Sequence, residues 1–253
     1  MTGFNRRKEA LLRLLQTGAP SVNALSAALD VSVATVRRDL AALADEGVIA
    51  RTYGGATLLQ RAESTFDFRR QLAAAAKRKI AEAAFEEVKG ASTVFLDAGT
   101  TIGTFAETLA LMQDRLNGLV VVTQSQRVAA SLAKVSSIEL FLLGGRYQAH
   151  SEGVFGPLAE KTIEAFRFDK VFLGADAVSA RFGLGETTLE QIRLKEIAMQ
   201  RSTNVCVLAD DTKFHDQDLP FWVTLPVGAK VIANDMPQQL RDEFRRAAIE
   251  IKA

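Results

Sequence analysis

The residues best able to do chemistry in this chain stand in short polar clusters, each directly behind an apolar run. The first is Asp97-Ala98-Gly99-Thr100-Thr101, after Val94-Phe95-Leu96. An acid at a strand end followed by Gly-Thr-Thr at a helix start can hold an anion. Backbone N–H groups point outward there, Thr hydroxyls add donors, and Gly99 lets the backbone come close. The same residues would also make a plain strand-to-helix turn. Thr123-Gln124-Ser125 follows the next apolar run and opens another helix, with Ser125 equally suited to be a simple cap. Gly144-Gly145-Arg146-Tyr147 follows a third. Paired glycines imply close approach of backbone to a ligand or to another loop, and Arg146 would pair with an anion or stand in solvent. Ser151, Asp176, Glu186, Lys195, Asp210 and Lys213 complete the set. Lys195 and Lys213 are the cations suited to an anion.

These clusters need a frame that brings them together. From residue 77 the sequence alternates amphipathic helices with short apolar strands. Expected helices are Arg78–Val88, Thr104–Met112, Arg127–Lys134, Leu158–Phe166, Leu189–Arg201 and Gln238–Ala247. Expected strands are Thr93–Leu96, Leu119–Val122, Ile138–Leu143, Lys170–Leu173 and Val205–Leu208, with later ones around Trp222–Leu225 and Val231–Ala233. That alternation predicts an α/β domain with a mostly parallel sheet covered on both faces. In such folds the polar strand ends converge on one sheet edge, where ligands bind.

Residues 1–57 have a different pattern, three short helices and a hairpin. The first helix spans about Arg6 to Gln16 and is stopped by Gly18 and Pro20. The second starts at Ser21, and the third runs from Val33 to Asp45 behind Ser32, with Gly47 beyond it. A strand through Val48–Tyr53 and the Gly54-Gly55 turn follow. Two short helices with a tight turn between them are the layout of a helix-turn-helix. Ser32, Ala34, Thr35, Arg37 and Arg38 would reach the major groove, with Ser21 at the start of the preceding helix placed beside them. Arg contacts guanine or phosphate, Ser and Thr contact phosphate, and Ala or a Thr methyl meets a thymine methyl. Arg51 and Tyr53 on the hairpin would reach the backbone or the minor groove. Charge does not decide the matter, because seven basic side chains between Met1 and Tyr53 face five acidic ones. A solvated three-helix bundle has the same composition. Residues 58–76, with Arg61, Arg69 and Arg70, are expected to form a linker, which leaves 77–253 as the second domain.

Whole-chain properties bound the rest. A length of 253 residues allows two domains, and the net charge of +1 keeps any nucleic-acid footprint local;. The single cysteine, Cys206, sits in an apolar strand, so no disulfide framework is possible within one chain. His150 and His215 lack metal-ligand spacing, so neither a metal nor a cofactor is expected. No run is long and apolar enough for a membrane helix, and the basic N-terminus has no signal-like core. The expected location is the cytoplasm.

The stretch Val31-Ser-Val-Ala-Thr-Val-Arg-Arg-Asp-Leu40, then Leu43-Ala-Asp-Glu-Gly-Val-Ile-Ala-Arg51 and Tyr53-Gly-Gly-Ala56, closely resembles the DeoR family of bacterial regulators. The resemblance continues through Asp97-x-Gly-Thr-Thr101, Gly144-Gly-Arg-Tyr147, Ser151-Glu152 and Gly156-Pro157 along nearly the whole chain. It implies a winged helix joined to a sugar-phosphate sensor, usually repressing a sugar-catabolic operon. The implied partners are double-stranded operator DNA, a small phosphorylated sugar and further copies of the chain, as a dimer or tetramer. Two positions depart from the family pattern. Gln124 stands where Asn is usual, and Gln191 stands four residues before Lys195 where Glu is usual, with Glu190 beside it. Gly174-Ala-Asp-Ala-Val178 and Ile192-Arg-Leu-Lys-Glu-Ile197 also look like ribose-5-phosphate isomerase. Aligned through these motifs, the isomerase's base falls on Leu194, and two further site positions fall on Leu173 and Gly185. Leucine cannot abstract a proton, so no catalysis is expected. A DNA-binding protein whose second domain only oligomerises is the remaining alternative.

Overall fold

Ser21 fixes the start of the second helix. Its Oγ accepts from Ala24 N at 3.2 Å and caps α2 (Val22–Leu29), which Asp30 ends in the left-handed conformation at φ 50°;. Ser32 Oγ accepts from Thr35 N at 3.2 Å at the mouth of α3 (Val33–Asp45). Apolar side chains of α1 (Gly3–Gln16), α2 and α3 meet in one core of Leu11, Leu12, Leu15, Leu25, Val36, Leu40 and Leu43. Ile49 and Ala56 close it from the antiparallel hairpin β1 (Ile49–Thr52) and β2 (Gly55–Leu58). Arg7 Nε lies 2.8 Å from the buried Asp39 Oδ2 and ties α1 to α3.

The computed structural model describes residues 3–16, 21–45, 49–52, 55–58, 66–116, 118–149, 151–214 and 219–252. Gly18, Pro20, Gly47, Val48, Tyr53, Gly54, Arg61, His150 and His215, each of which carried an expectation, lie outside these. The chain divides into two units, Met1–Ala74 and Ala75–Ala253. The segment expected as a linker carries the helix α4 (Phe66–Gln71), and Leu72 packs on the first core. Six residues hold too little apolar period to read as a helix in advance.

The second unit starts with α5 (Ala74–Val88) and is built on seven parallel strands. These are β3 (Thr93–Leu96), β4 (Leu119–Thr123), β5 (Ile138–Leu142), β8 (Lys170–Leu173), β11 (Val205–Leu208), β13 (Lys230–Ile232) and β14 (Glu250–Lys252). Their order is β14-β13-β11-β8-β3-β4-β5. Successive strand residues feed opposite faces. Val94 and Leu96 join one core with α5, α6 (Thr100–Leu111) and α7 (Gln126–Leu132). Phe95 joins the other with α8 (Pro157–Ile163), α9 (Leu189–Gln200) and α10 (Gln238–Arg246).

The expected alternation is present, with three differences besides the edge strand β14, which was also not expected. Helix α6 begins four residues before Thr104, because Gly99 at φ 118° turns the chain directly into it. A hairpin of β6 (Arg146–Gln148) and β7 (Gly153–Phe155) stands where no strand was expected. Finally, β9 (Ala177–Ser179), β10 (Gly183–Glu186) and β12 (Phe221–Val223) form a separate antiparallel sheet, so β12 does not join the main one. Strands of three or four residues are too short to show alternation in sequence.

Gly183 is required by that small sheet. It adopts φ 87°, and a Cβ there would stand 2.0 Å from the Val223 carbonyl oxygen. Gly183→Ala should destabilise the protein by about 2–4 kcal/mol through strain and overlap, measured as a drop in urea midpoint; an unchanged midpoint would show that the turn relaxes freely.

Candidate functional site

Chain order reverses between β3 and β8, since β4 and β5 lie to one side of β3 while β8 and the later strands lie to the other. Strand ends part at such a crossover and leave a crevice. Asp97 ends β3 on one side and Gly174 ends β8 on the other. Asp97 N donates to Phe172 O at 3.0 Å, and Gly174 N donates to Asp97 Oδ2 at 3.1 Å.

Lys195 reaches this point from α9. Its Nζ contacts Asp97 Oδ2, lies 3.0 Å from Glu186 Oε1 and donates to Gly174 O at 2.8 Å. An ammonium has three N–H donors, and these three acceptors use them all. Lys195, Asp97 and Glu186 are each nearly inaccessible. Burial alone would lower the Lys195 ammonium, but Asp97 and Glu186 overrule it and hold its pKa above the ordinary value. Burial pushes the Glu186 carboxyl up to about 8, with Asp176 and Asp97 adding to the shift and Lys195 opposing it;.

Both departures from the family pattern belong to this cluster. Gln191 Nε2 donates to Glu186 Oε2 at 3.0 Å, while Gln191 Oε1 accepts from Thr188 Oγ1 at 2.8 Å and Thr187 Oγ1 at 3.3 Å. At the other end Gln124 Nε2 donates to Asp97 Oδ1. One buried chain of contacts therefore runs Thr188, Gln191, Glu186, Lys195, Asp97, Gln124. Gln191 was visible in the sequence only as a departure. The signal for its role was helical spacing, since Thr188, Gln191 and Lys195 share one face of α9.

Other expected residues take more local parts. Ser125 Oγ caps α7, accepting from Val128 N at 3.3 Å, and Thr123 Oγ1 accepts from Ser125 N at 3.0 Å. Asp210 Oδ1 accepts from Thr212 N at 3.2 Å and caps the short turn that carries Lys213. Lys213 Nζ stands 4.0 Å from Asp176 Oδ1, and both are about one-quarter exposed. Gly145 comes close to another loop, with a Cβ there 2.6 Å from Phe155 O, and Gly144 faces Leu158. The exposed Arg146 pairs with Glu190 at 2.8 Å. Thr101 is buried in the first turn of α6, next to Thr100. Helix α6 opens at Gly99 with no side-chain cap, unlike α7 and α9.

In the first unit, Ser32, Ala34, Arg37 and Arg38 are exposed and Thr35 is half-buried, while Val36, Asp39 and Leu40 point into the core. The exposed residues recur at helical spacing and form one outward face of α3. Ser21 is exposed and caps α2, and Arg51 lies in β1.

Residues 6–62 match the DeoR-like helix-turn-helix domain, and residues 72–226 match the DeoR C terminal sensor domain. The chain belongs to the DeoR family. It is 30% identical to a putative aga operon transcriptional repressor of Escherichia coli O157:H7, over 99% of this chain and 94% of that one. It is 31% identical to the lactose phosphotransferase system repressor of Lactococcus lactis, over 98% of each. An L-fucose operon activator of Haemophilus influenzae is 32% identical over 85% of this chain and 86% of its own. Among solved structures, a ribose 5-phosphate isomerase from Methanocaldococcus jannaschii aligns with TM-score 0.43 and 19% identity, over 58% of this chain and 56% of that one. This DeoR-family chain is a DNA-binding transcriptional regulator and not an enzyme. Leu194 and Leu173 are buried in the apolar core.

Two outcomes test the cluster. Lys195→Met leaves the buried Asp97 carboxylate without its counter-charge and Glu186 Oε1 without its donor, and should cost about 3–5 kcal/mol of stability in chemical denaturation;. Glu186, with its pKa raised above the ordinary carboxylate value, favours folding most at low pH, and that benefit is lost as pH rises through about 8;. The melting temperature of the wild type should therefore fall relative to Glu186→Gln from about pH 5 to about pH 9. Parallel curves would mean that burial does not hold Glu186 protonated.

Proposed function

We propose that this regulator represses a carbohydrate-catabolic operon in the cytoplasm and releases its operator when a phosphorylated sugar binds the sensor unit. The uncapped start of α6 carries this reading. Gly99, Thr100 and Thr101 open a twelve-residue helix beside the Asp97 network, at the sheet crossover. Free N–H groups and the helix dipole there favour a phosphate, and the Thr hydroxyls add donors. Lys195 has no donor left for a ligand, so Lys213 at the neighbouring strand end is the cation for the phosphate. The relatives named as repressors of an aga operon and of a lactose phosphotransferase system support a sugar-linked role.

On the DNA side, Arg37 and Arg38 of α3 contact the operator, with Ser32, Ala34 and Thr35 beside them. Ser21, Arg51 and Tyr53 contact the flanking backbone. One small domain gives limited affinity, so a dimer or tetramer presents paired helices to repeated half-sites. Release requires that the effector bind the state with low operator affinity more tightly. A 100-fold loss of DNA affinity corresponds to about 2.7 kcal/mol of coupling.

Arg37→Ala and Arg38→Ala should each weaken operator binding by roughly 5- to 150-fold in gel-shift titrations. The thermal shift given by a sugar phosphate should be unchanged in both. Lys213→Ala should do the reverse and yield a repressor that cannot be induced. Should Lys213→Ala leave the shift intact, its assignment to the phosphate is wrong. A reporter that falls when the regulator's gene is deleted would make it an activator.

A further inference from the structure

We infer that the free edge of β5 is the contact through which two copies of this chain join their main sheets, strand to strand and antiparallel, about a two-fold axis at Leu140. The inference gives the proposed oligomer a contact surface and does not depend on which effector binds.

The backbone of β5 shows the open edge. Leu119 N donates to Ser137 O at 3.2 Å, and Leu143 N donates to Thr123 O at 2.8 Å. Leu119 lies beside Ile138 and Thr123 beside Leu142 in the parallel register, so Ser137, Glu139, Phe141 and Leu143 turn their peptide groups toward β4;. Ile138, Leu140 and Leu142 turn theirs the other way. Ile138 N donates to Val135 O at 3.1 Å, but the N–H and C=O of Leu140 and Leu142 meet no partner among the described residues. The opposite edge of the sheet is built differently. Strand β14 has three residues, two of them the charged Glu250 and Lys252, and within it only Ile251 turns its peptide groups outward. Short, charged strands are how sheet edges are kept from pairing. Strand β5 has five residues, Ile-Glu-Leu-Phe-Leu, with one charge and no proline.

The side chains around the open edge are apolar and uncovered. Phe141 is 40% exposed and packs edge-on against the half-buried Phe166, with ring centroids 5.3 Å apart. Leu142 is 51% exposed. Leu158, 61% exposed, stands over Gly144 just past the strand, where a Cβ would lie 2.9 Å from Leu158 Cδ2. Together these three side chains expose roughly 300 Å² of apolar surface, as much as the largest patch that many monomers show. Apolar atoms make up about 60% of an interface, so the patch is the centre of roughly 1,000 Å² across two copies, the area that a specific contact requires.

The occupant is a second copy because the strand is complementary to itself. An antiparallel pair centred on Leu140 sets Leu140 opposite Leu140, Ile138 opposite Leu142 and Glu139 opposite Phe141. Leu140 N then donates to Leu140 O of the second copy, and Leu142 N donates to Ile138 O of the second copy. The two-fold repeats both bonds. Each unpaired N–H of the edge finds an acceptor, and the one charge of the strand does not face its own copy, where like charges would repel. The axis stands perpendicular to the sheet, so the Phe141 and Leu158 side chains of both copies lie on one face of the joined sheet.

The test uses the full-length protein and sedimentation velocity over a concentration series. The wild type should self-associate. Leu142→Lys sets an ammonium in the seam and should raise the dissociation constant by about tenfold or more. Val227→Lys, at an exposed apolar residue near β13, should leave it unchanged. Disulfide cross-linking reads the register. Cys206 is the only native cysteine and is buried, so the wild type should not cross-link on mild oxidation. Leu140→Cys should, because directly opposed residues stand about 5.5 Å apart between Cα atoms, within disulfide reach. Glu139→Cys should not, because the two-fold offsets it from its own copy by two residues, about 7–8 Å and beyond that reach. If Leu142→Lys does not fold, the cross-links decide alone. Unchanged association in Leu142→Lys, no cross-link in Leu140→Cys, or equal cross-linking in Glu139→Cys would each overturn the edge contact and leave the oligomer to another surface. A wild type that stays monomeric throughout would overturn the oligomer reading as well.

Discussion

A single buried ammonium shared by Asp97 and Glu186 is the constraint around which the sensor unit is arranged. Lys195 must be enclosed, because an isolated charge at that depth would be strongly unfavourable. Enclosure is stable only with partners, and each partner comes from a different element. Asp97 ends β3, Gly174 ends β8, Glu186 ends β10 and Lys195 itself rides on α9. The cluster therefore fixes the small antiparallel sheet and one covering helix against the crossover of the main sheet. Breaking one contact leaves charge unmatched in all the others, which makes the arrangement cooperative.

The same contacts leave no free base at the strand ends. A base that moves protons must be able to give up its proton partner, and that needs room and a reacting carbon within reach. Here the carboxylates are engaged by Lys195, by amide groups and by backbone N–H groups. What remains is a closed set of contacts that holds the strand ends in place.

Much of this was legible in the sequence, and the limits have physical causes. The parallel sheet could be read because its central strands are continuous apolar runs, buried on both faces. Asp97, Thr101 and Lys213 could be placed at the strand ends because parallel topology puts every such end on one edge. The hairpin at Arg146 and the sheet at Gly183 could not be read, since pairing over three or four residues leaves no period. Gly144-Gly145 showed the need for close approach but not its object, which is a loop. Lys195 was legible as a cation but not as a saturated one, because saturation depends on three acceptors distant in sequence. Gln124 and Gln191 were legible only as departures, and only coordinates join them into one network.

The saturation of Lys195 has an evolutionary consequence. A ligand-binding cation cannot be altered without changing both affinity and architecture at once. In this regulator the two are separated, with charge at the centre and neutral amides at the rims. Each rim amide touches the central groups through one donated hydrogen bond, so a change at Gln124 or Gln191 reaches Lys195 only through Asp97 or Glu186.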